Sequence, residues 1–364
     1  MRTREQYSEI IGRVESSLKN SMYDPDGQYM ENLINKFERT SSEARNLACW
    51  DWTHGIGLYG LFKLFESTKD EKHLAFIDEW FKNRICIGLP EKNVNTFAPL
   101  LVMACLYELR PNPLYENVML EWAEWTMKYM KRTDEGGIQH IHCELENRQE
   151  LWSSTLMMMG LFLAKAGIVL KRKYYLEEAL YQFYIHAKYL LDTKTGLWQH
   201  AWSFLERDNL APVLWARGNC WVMLFITEVL EIPQIGEYAN RYISSMFENQ
   251  VRALCGYQSA SGMWHTLVND ESSYLEASAS AAFCFCILKG IRKGHLDSKY
   301  KNCGIKTLES VVENIDKTGN LGQVSAGTNA GRTLEYYRGI PFRKTHYGQA
   351  LALLALLEGK ESEI

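Results

Sequence analysis

The densest group of side chains suited to chemistry lies around Arg217, in the run Trp215-Ala-Arg-Gly-Asn-Cys-Trp221. Trp198, His200 and Trp202 precede this run by a few residues. Indole rings stack on the apolar faces of sugar rings, and a guanidinium binds a carboxylate through two parallel hydrogen bonds. The pattern predicts a pocket for a sugar acid, with Arg217 on the carboxylate. The alternative is that the tryptophans pack between helices and Arg217 forms a structural ion pair.

Acid–base chemistry at such a pocket needs a carboxyl group. Asp51, Asp134, Glu150 and Glu276 are the candidates, and none of them forms a pair with another acid nearby in the sequence. Each also fits a helix cap or a first-turn charge that the helix dipole favours. The residues alone therefore do not assign a two-carboxylate hydrolysis.

Two motifs resemble a nucleotide-binding site and a metal site, but we expect neither ligand. The run from Gly55 to Gly60 matches GxGxxG, but it stands in an apolar helical stretch and not after a strand, so it predicts close helix packing rather than a nucleotide site. In His140-Ile-His142-Cys143, ligands two residues apart converge on one ion only from a strand, and no third ligand follows at a recognisable spacing. We expect no metal and no cofactor, and we expect His140 to donate or accept hydrogen bonds at the pocket, as His200 does.

Helical periodicity predicts the scaffold that positions these side chains. Residues 156–170 and 277–288 are apolar on nearly every side, which indicates helices surrounded by other elements. Single apolar stripes indicate amphipathic helices that cover them. One stripe consists of Tyr7, Ile10, Ile11, Val14 and Leu18, and another of Leu176, Leu180, Phe183, Ala187 and Leu190.

A repeated glycine motif divides the chain into similar units. Gly137, Gly196, Gly262 and, less clearly, Gly319 recur at intervals of 59, 66 and 57 residues. A period near 60 fits an outer helix, a turn, a polar loop and an inner helix, and six such units would use the whole chain. The first two units lack the motif. We predict an all-α fold, an (α/α)6 barrel formed as one domain over residues 1–364, with the glycine loops and the N-terminal ends of the inner helices at one rim.

Composition narrows the function classes. The chain has 364 residues, 46% of them hydrophobic, and a formal net charge of −4, which is typical of a folded globular protein and not of one with a basic nucleic-acid-binding face. No apolar run approaches the roughly 20 residues of a membrane span, and the first residues lack a signal-peptide pattern. Nine scattered cysteines favour a reduced, cytoplasmic protein. We therefore expect neither a nucleic acid nor a membrane as partner.

Six ordered blocks resemble the unsaturated rhamnogalacturonyl hydrolases of glycoside hydrolase family 105. The blocks are Trp50-Asp-Trp-Thr-His-Gly-Ile-Gly-Leu-Tyr-Gly60, Glu150-Leu-Trp-Ser-Ser-Thr-Leu-Met157, Gly196-Leu-Trp-Gln-His-Ala-Trp202, Trp215-Ala-Arg-Gly-Asn-Cys-Trp221, Ser273-Tyr-Leu-Glu-Ala-Ser-Ala279 and Tyr347-Gly-Gln-Ala350. The resemblance implies an (α/α)6 barrel that removes a Δ4,5-unsaturated uronyl residue from an oligosaccharide. It implies hydration of the double bond, in which an aspartate protonates C4 and activates water for attack at C5, without a metal.

The resemblance also implies roles for individual residues. It places Arg217, Trp215 and Trp221 on the uronyl carboxylate and ring, His200 on a sugar hydroxyl and Trp152 in the pocket wall. Arg343 and His346, before the last inner helix, would meet the same rim.

At one position the chain departs from the family. Ser154 stands where the family has its catalytic aspartate, and a serine hydroxyl is too weak an acid to donate a proton near neutral pH without a relay. Glu150 or Asp51 could replace the missing acid, the chain could be a non-catalytic sugar-binding or sensing relative, or the site could be altered. A barrel epimerase or polysaccharide lyase with a His or Tyr base is a further alternative.

Overall fold

The computed structural model describes residues 2–24, 30–31, 34–36, 38–142 and 145–361, so Cys143 of the metal-like motif lies outside the described residues. In chain order the helices are α1 (Arg4–Ser21), α2 (Ser41–Ala48), α3 (Trp52–Thr68), α4 (Glu71–Ile87), α5 (Ala98–Leu109), α6 (Pro113–Tyr129), α7 (Leu161–Val169), α8 (Lys173–Leu190), α9 (Ala216–Val229), α10 (Glu237–Tyr257), α11 (Ala277–Arg292), α12 (Lys301–Glu313), α13 (Leu334–Arg338) and α14 (His346–Glu361). A π-helical turn, Leu156–Gly160, leads into α7, and short 3₁₀ turns occupy Asn95–Phe97, Pro233–Ile235 and Ser298–Tyr300.

Six of these helices form a closed inner ring. Helix α3 contacts α5, and contacts continue from α5 to α7, to α9, to α11, to α14 and back to α3. Helices α1, α4, α6, α8, α10 and α12 pack outside the ring, each against an inner helix. The predicted (α/α)6 barrel, including its closure by the first two units, is confirmed.

Burial explains which helices are inside. Every residue of 277–290 in α11 and of 346–359 in α14 is buried, as expected for helices surrounded by neighbours. The outer helix α1 buries one stripe, which includes Tyr7, Val14 and Leu18. A single contiguous apolar cluster runs from Tyr7 to Leu357.

The glycine motif marks the turn after each of the last four outer helices. Gly136, Gly196, Gly262 and Gly319 all have positive φ, between 76° and 94°. A side chain makes this backbone conformation costly, so glycine is favoured there. In the first of these turns the residue with positive φ is Gly136 and not the predicted Gly137, because the tight turn begins one residue earlier.

Two short antiparallel strand pairs connect these turns to the inner helices. β1 (Glu150–Trp152) pairs with β2 (Ala201–Ser203), and β3 (Trp264–His265) pairs with β4 (Leu275–Glu276). The β1–β2 pair joins the third and fourth units. It brings loops from two units side by side at the N-terminal ends of α7 and α9.

The GxGxxG stretch lies inside α3, where its glycines allow close packing. A Cβ at Gly55 would lie 2.6 Å from the carbonyl carbon of Ala98, and one at Gly60 would lie 2.9 Å from the Cβ of Ala350. These contacts agree with the prediction of helix packing at this motif.

Within the described ranges, no helix combines the length and the apolar character that crossing a membrane requires.

Candidate active site

Four aromatic rings form a row at the N-terminal ends of the inner helices, which we call the ring ladder: His140, Trp152, His200 and Trp215. His140 and Trp152 stack with ring centroids 4.2 Å apart and planes 8° apart. Trp152 lies 5.5 Å from His200, and His200 lies 4.3 Å from Trp215. The structure therefore brings together four of the predicted site residues.

The strand pair explains how residues from different units meet in the ladder. Trp152 is on β1 opposite Ala201, and the N–H of Ser153 donates to the carbonyl of His200 at 2.9 Å. The N–H of His140 donates to the carbonyl of Glu150 at 3.0 Å. Backbone hydrogen bonds thus fix the spacing of the rings.

The histidines of this region are neutral at physiological pH. Burial lowers the pKa of His142 to about 4, and burial together with the charge of Arg217 lowers the pKa of His200 to about 3. Burial and the neighbouring His142 also hold the pKa of His140 well below its usual value. These rings therefore offer hydrogen bonds to a ligand, and not positive charge.

Arg217 is 1% exposed and has protein partners already. Its Nη1 donates to the carbonyl of Ser325 at 2.8 Å and to its Oγ at 2.5 Å, and its Nη2 donates to the carbonyl of Ala326 at 2.6 Å. Nη1 also lies 3.6 Å from Oε1 of Glu276. Nε has no hydrogen-bond partner in the described part of the chain, but it is fully buried, so a ligand carboxylate does not reach it and the geometry favours the alternative of a structural ion pair.

Glu276 serves the scaffold. It is fully buried at the N-cap of α11, where its carboxylate accepts from Ala279 N at 2.6 Å, Ser278 Oγ at 2.8 Å and Ser325 N at 2.9 Å. This agrees with the helix-cap alternative for this acid.

Glu150 is the partly exposed carboxyl group next to the ladder. Its Oε2 accepts from the indole N–H of Trp152 at 2.8 Å. Burial raises its pKa, although the hydrogen bond from Trp152 and the charge of Arg332 act in the opposite direction. A carboxyl group with a raised pKa is suited to donate a proton.

Asp51 lies on a different inner helix. It is 2% exposed at the N-cap position of α3, where its carbonyl accepts from His54 N and Gly55 N. The next residue, Trp52, contacts Tyr347 at 4.6 Å between ring centroids.

Ser154 occupies the turn between β1 and the π-helical turn that leads into α7. It is partly exposed, and its carbonyl accepts from Met158 N at 3.0 Å. The preceding Ser153 is fully buried, and its Oγ has no hydrogen-bond partner in the described part of the chain. π-Helical turns occur frequently at functional sites. Ser154 is therefore accessible beside the ladder.

Three predicted binding residues lie outside the ladder. Trp221 is 2% exposed and meets Trp52 edge to face at 5.8 Å. His346 stacks on His54 at 4.2 Å, and its Nε2 lies 2.8 Å from the carbonyl of Ser21. Arg343 is exposed, on the segment that pairs with Val324. Trp221 and His346 thus each contact a side chain of α3.

Sequence reasoning missed two tyrosines that contact site residues. The hydroxyl of Tyr347 donates to the carbonyl of Ser325, and the hydroxyl of Tyr337 lies 2.6 Å from Nδ1 of His200. Tyr347 belongs to one of the six blocks and could have been found there. Nothing in the sequence around Tyr337 indicates its contact with a ring 137 residues away.

No three His, Cys, Asp or Glu side chains come together as a metal site within residues 2–142 and 145–361, as far as these are described. His140 and His142 instead contact each other edge to face at 5.7 Å.

Comparisons with known proteins show the family to which the chain belongs. The model of Glycosyl Hydrolase Family 88 matches residues 28–362. The chain is 31% identical over 312 residues to the unsaturated rhamnogalacturonyl hydrolase YesR of Bacillus subtilis (strain 168), covering 85% of this chain and 89% of the relative.

Two solved structures share the fold over the whole chain. A possible member of the GH105 family from Salmonella enterica serovar Paratyphi A is 39% identical, with a TM-score of 0.92 and coverage of 100% of this chain and 96% of that one. A possible GH105 member from Klebsiella pneumoniae is 38% identical, with a TM-score of 0.92 and coverage of 100% and 95%. With the family match over most of its length, the chain belongs to Glycosyl Hydrolase Family 88, and its resemblance to family 105 is confirmed.

Proposed function

We propose that the protein hydrolyses oligosaccharides that carry a terminal Δ4,5-unsaturated uronyl residue, by hydrating the C4=C5 double bond. The family assignment supports this reaction class. The similarity to YesR supports an unsaturated rhamnogalacturonyl substrate, as found in products of pectin degradation.

Glu150 is the proposed proton donor, and this group carries the proposal. It combines a pKa raised by burial with a position beside Trp152 in the ladder. The carboxylic acid donates its proton to C4, and the resulting carboxylate accepts a proton from the water that attacks C5. The hemiketal formed at C5 then opens and releases the aglycone sugar, so the acid is restored over the cycle.

The other site residues bind the ligand. The indole of Trp152 offers an apolar face to the sugar ring, and the neutral imidazoles of His140 and His200 offer hydrogen bonds. Arg217 acts indirectly, since its hydrogen bonds to Ser325 and Ala326 hold the wall of the cleft.

A non-catalytic sugar-binding function is the second candidate, and Ser154 favours it. Without a carboxyl group at that position, the site keeps its rings and hydrogen-bonding groups but loses the family's proton donor. Under this alternative Glu150 only fixes the indole of Trp152 through their hydrogen bond.

Two substitutions distinguish these functions. An unsaturated disaccharide produced by a polysaccharide lyase is incubated with the protein, and the loss of the ultraviolet absorbance of its double bond is followed. If Glu150 is the donor, Glu150→Gln reduces the rate by about 10²- to 10⁴-fold, the usual contribution of general acid catalysis. Asp51→Asn is the control, because Asp51 is the other candidate acid, and it should retain most of the hydration rate of the wild type.

Ser154→Asp tests the binding alternative. A new carboxyl group there should create or raise activity in a protein that lacks only its donor, by a similar factor. Hydration by the wild-type protein that survives Glu150→Gln would contradict the role of Glu150. Binding by calorimetry without turnover in either form would establish the sugar-binding function instead.

The remaining expectations belong to the same proposal. We place the reaction in the cytoplasm, on oligosaccharides that polysaccharide lyases have already shortened. Residues 1–364 act as one domain. The single apolar cluster from Tyr7 to Leu357 supports this organisation.

A further inference from the structure

The hydroxyl of Tyr337 is a polar group at the ladder that the proposed reaction does not use. Tyr337 lies on α13 and is fully buried, with its Oη 2.6 Å from Nδ1 of His200. The backbone N–H of Gly331 donates to the same Oη at 3.0 Å. One ring nitrogen of His200 is thus tied to the segment 331–337.

The number of available hydrogens fixes the direction of the bond. A phenol has one hydrogen, and because Oη already accepts from Gly331, that hydrogen needs its own acceptor. The acceptor in reach among the described residues is Nδ1 of His200. A buried hydroxyl without a partner costs about 1–3 kcal/mol. Tyr337 therefore donates, and Nδ1 of His200 accepts.

A neutral imidazole that accepts at Nδ1 carries its hydrogen on Nε2. His200 is neutral because burial and Arg217 lower its pKa to about 3. Nε2 has no hydrogen-bond partner in the described part of the chain, and it is not one of the fully buried unpaired atoms. His200 is 2% exposed, so this N–H reaches the surface only over a small area beside Trp152 and Trp215.

We infer that Tyr337 is a positioning residue, which holds His200 as the Nε2–H tautomer so that this N–H donates to an oxygen of a ligand in the cleft. The ligand class is a sugar with an oxygen acceptor, either a hydroxyl or a carboxylate. That this sugar is an unsaturated uronide rests on the proposed function. The tautomer itself does not.

The segment that carries Tyr337 is held at both ends. On its N-terminal side Ser325 and Ala326 are bonded to Arg217, and Arg332 forms a two-bond pair with Glu206. On its C-terminal side Arg338 lies 2.8 Å from the carboxylate of Asp270. The hydroxyl is thus placed before any ligand arrives, and consecutive hydrogen bonds from Gly331 to His200 strengthen one another.

Nitrogen-15 NMR of the histidine rings tests the tautomer directly. The His200 signals are assigned as those missing from the spectrum of His200→Gln. We expect a protonated Nε2 and an unprotonated Nδ1 in the wild-type protein. In Tyr337→Phe both shifts should move toward the average of the two tautomers. Tyr336→Phe is the matched control, since this neighbouring tyrosine is 41% exposed and its hydroxyl contacts Thr328.

Binding provides the second measurement. Calorimetry with the lyase-produced unsaturated disaccharide should show about fivefold to tenfold weaker binding by Tyr337→Phe, the effect of one hydrogen bond. Tyr336→Phe should bind as the wild type does.

A wild-type His200 protonated at Nδ1 would overturn the inference, and so would a Tyr337→Phe spectrum with the tautomer unchanged. Thermal melting shows whether Tyr337→Phe folds. If it does not, the wild-type spectrum still decides which ring nitrogen of His200 carries the hydrogen. Absence of disaccharide binding in all forms would count against the proposed function, while the tautomer would still be read from the spectrum.

Discussion

The N-terminal and C-terminal ends of the inner helices are both polar, but their polar groups are paired differently. At the N-terminal end, neutral His140 and His200 stand among tryptophans, and Nε2 of His200 has no hydrogen-bond partner among the described residues. At the C-terminal end, charged side chains surround a cavity of about 490 Å³, and they bond to one another.

Glu228 is the centre of the charged end. Its Oε1 lies 2.5 Å from Nζ of Lys289, its Oε2 lies 3.0 Å from Nζ of Lys63, and Tyr59 donates to it at 2.6 Å. Burial acts against the carboxylate, but Lys289 and Lys63 hold the pKa of Glu228 well below its usual value. Further charged pairs at this cavity are Lys63–Glu66, Lys165–Glu108, Arg292–Glu358 and Lys293–Glu231.

The difference shows that pairing, and not polarity, distinguishes a binding site from a structural cluster. Lysines are favourable near helix C-termini and anions near N-termini because of the helix dipole. At the C-terminal cavity the lysines pair with acidic side chains of the protein itself. At the N-terminal end Glu276 caps α11, while the rings of the ladder are neutral and leave room for an anionic sugar near the positive ends of the helix dipoles.

The largest effect that would test this contrast is on stability, at Glu228. Glu228→Gln leaves the buried Lys289 without its anion and leaves Lys63 with Glu66 alone, and breaking a buried pair in this way typically costs about 3–5 kcal/mol. Urea denaturation should show this loss in the free energy of unfolding, while disaccharide binding at the other end stays unchanged once the protein is folded.

Glu108→Gln is the control at the same end. Its side chain is 46% exposed and pairs with Lys165, and exposed pairs contribute at most about 1 kcal/mol. Equal effects of the two substitutions would mean that the buried cluster does not hold the C-terminal end together.

A smaller effect is expected at Gly55, where α3 packs closely against α5 near the N-terminal end. In Gly55→Ala the new Cβ would meet the backbone of Ala98 at 2.6 Å, so α3 and α5 must separate. Such overpacking costs about 1–3 kcal/mol. The matched control is Gly12→Ala in α1, where nothing lies within 4 Å of the new Cβ, and there we expect a gain of about 0.5–1 kcal/mol. A neutral Gly55→Ala in urea denaturation would contradict tight packing at this end.

The fold could be predicted because its signals are repeated and local. The apolar stripe of α1, the all-round apolar residues 156–170 and 277–288, and the recurring glycines each reflect a requirement within one helix or one turn. The resemblance to a known family added the closure of the ring. The shift from Gly137 to Gly136 could not be read from a sequence with both glycines side by side, since either one accommodates the turn.

The site was less predictable because its contacts join distant units. The ladder of His140, Trp152, His200 and Trp215 could be assembled from motifs. The partners of Arg217 could not, since Ser325 and Ala326 lie more than 100 residues away in a segment without a motif. A guanidinium looks the same in sequence whether it faces a ligand or a backbone carbonyl.

The last predicted effect concerns stability in acid, and it would sharpen the contrast at the N-terminal end. Burial lowers the pKa of His142 to about 4, against about 6.5 for an unfolded histidine. At pH values between these two, the unfolded chain binds a proton at this histidine and the folded chain does not, so stability is full above pH 6.5 and falls as the pH is lowered.

Between pH 7 and pH 5 the neutral His142 should lower the free energy of unfolding by about 2 kcal/mol. This part of the pH dependence should be absent in His142→Gln. The control is Tyr129→Phe, which changes an exposed side chain and should keep the wild-type pH dependence. Urea denaturation at both pH values measures the difference, and a His142→Gln protein that stays as acid-sensitive as the wild type would show that His142 is protonated in the folded state.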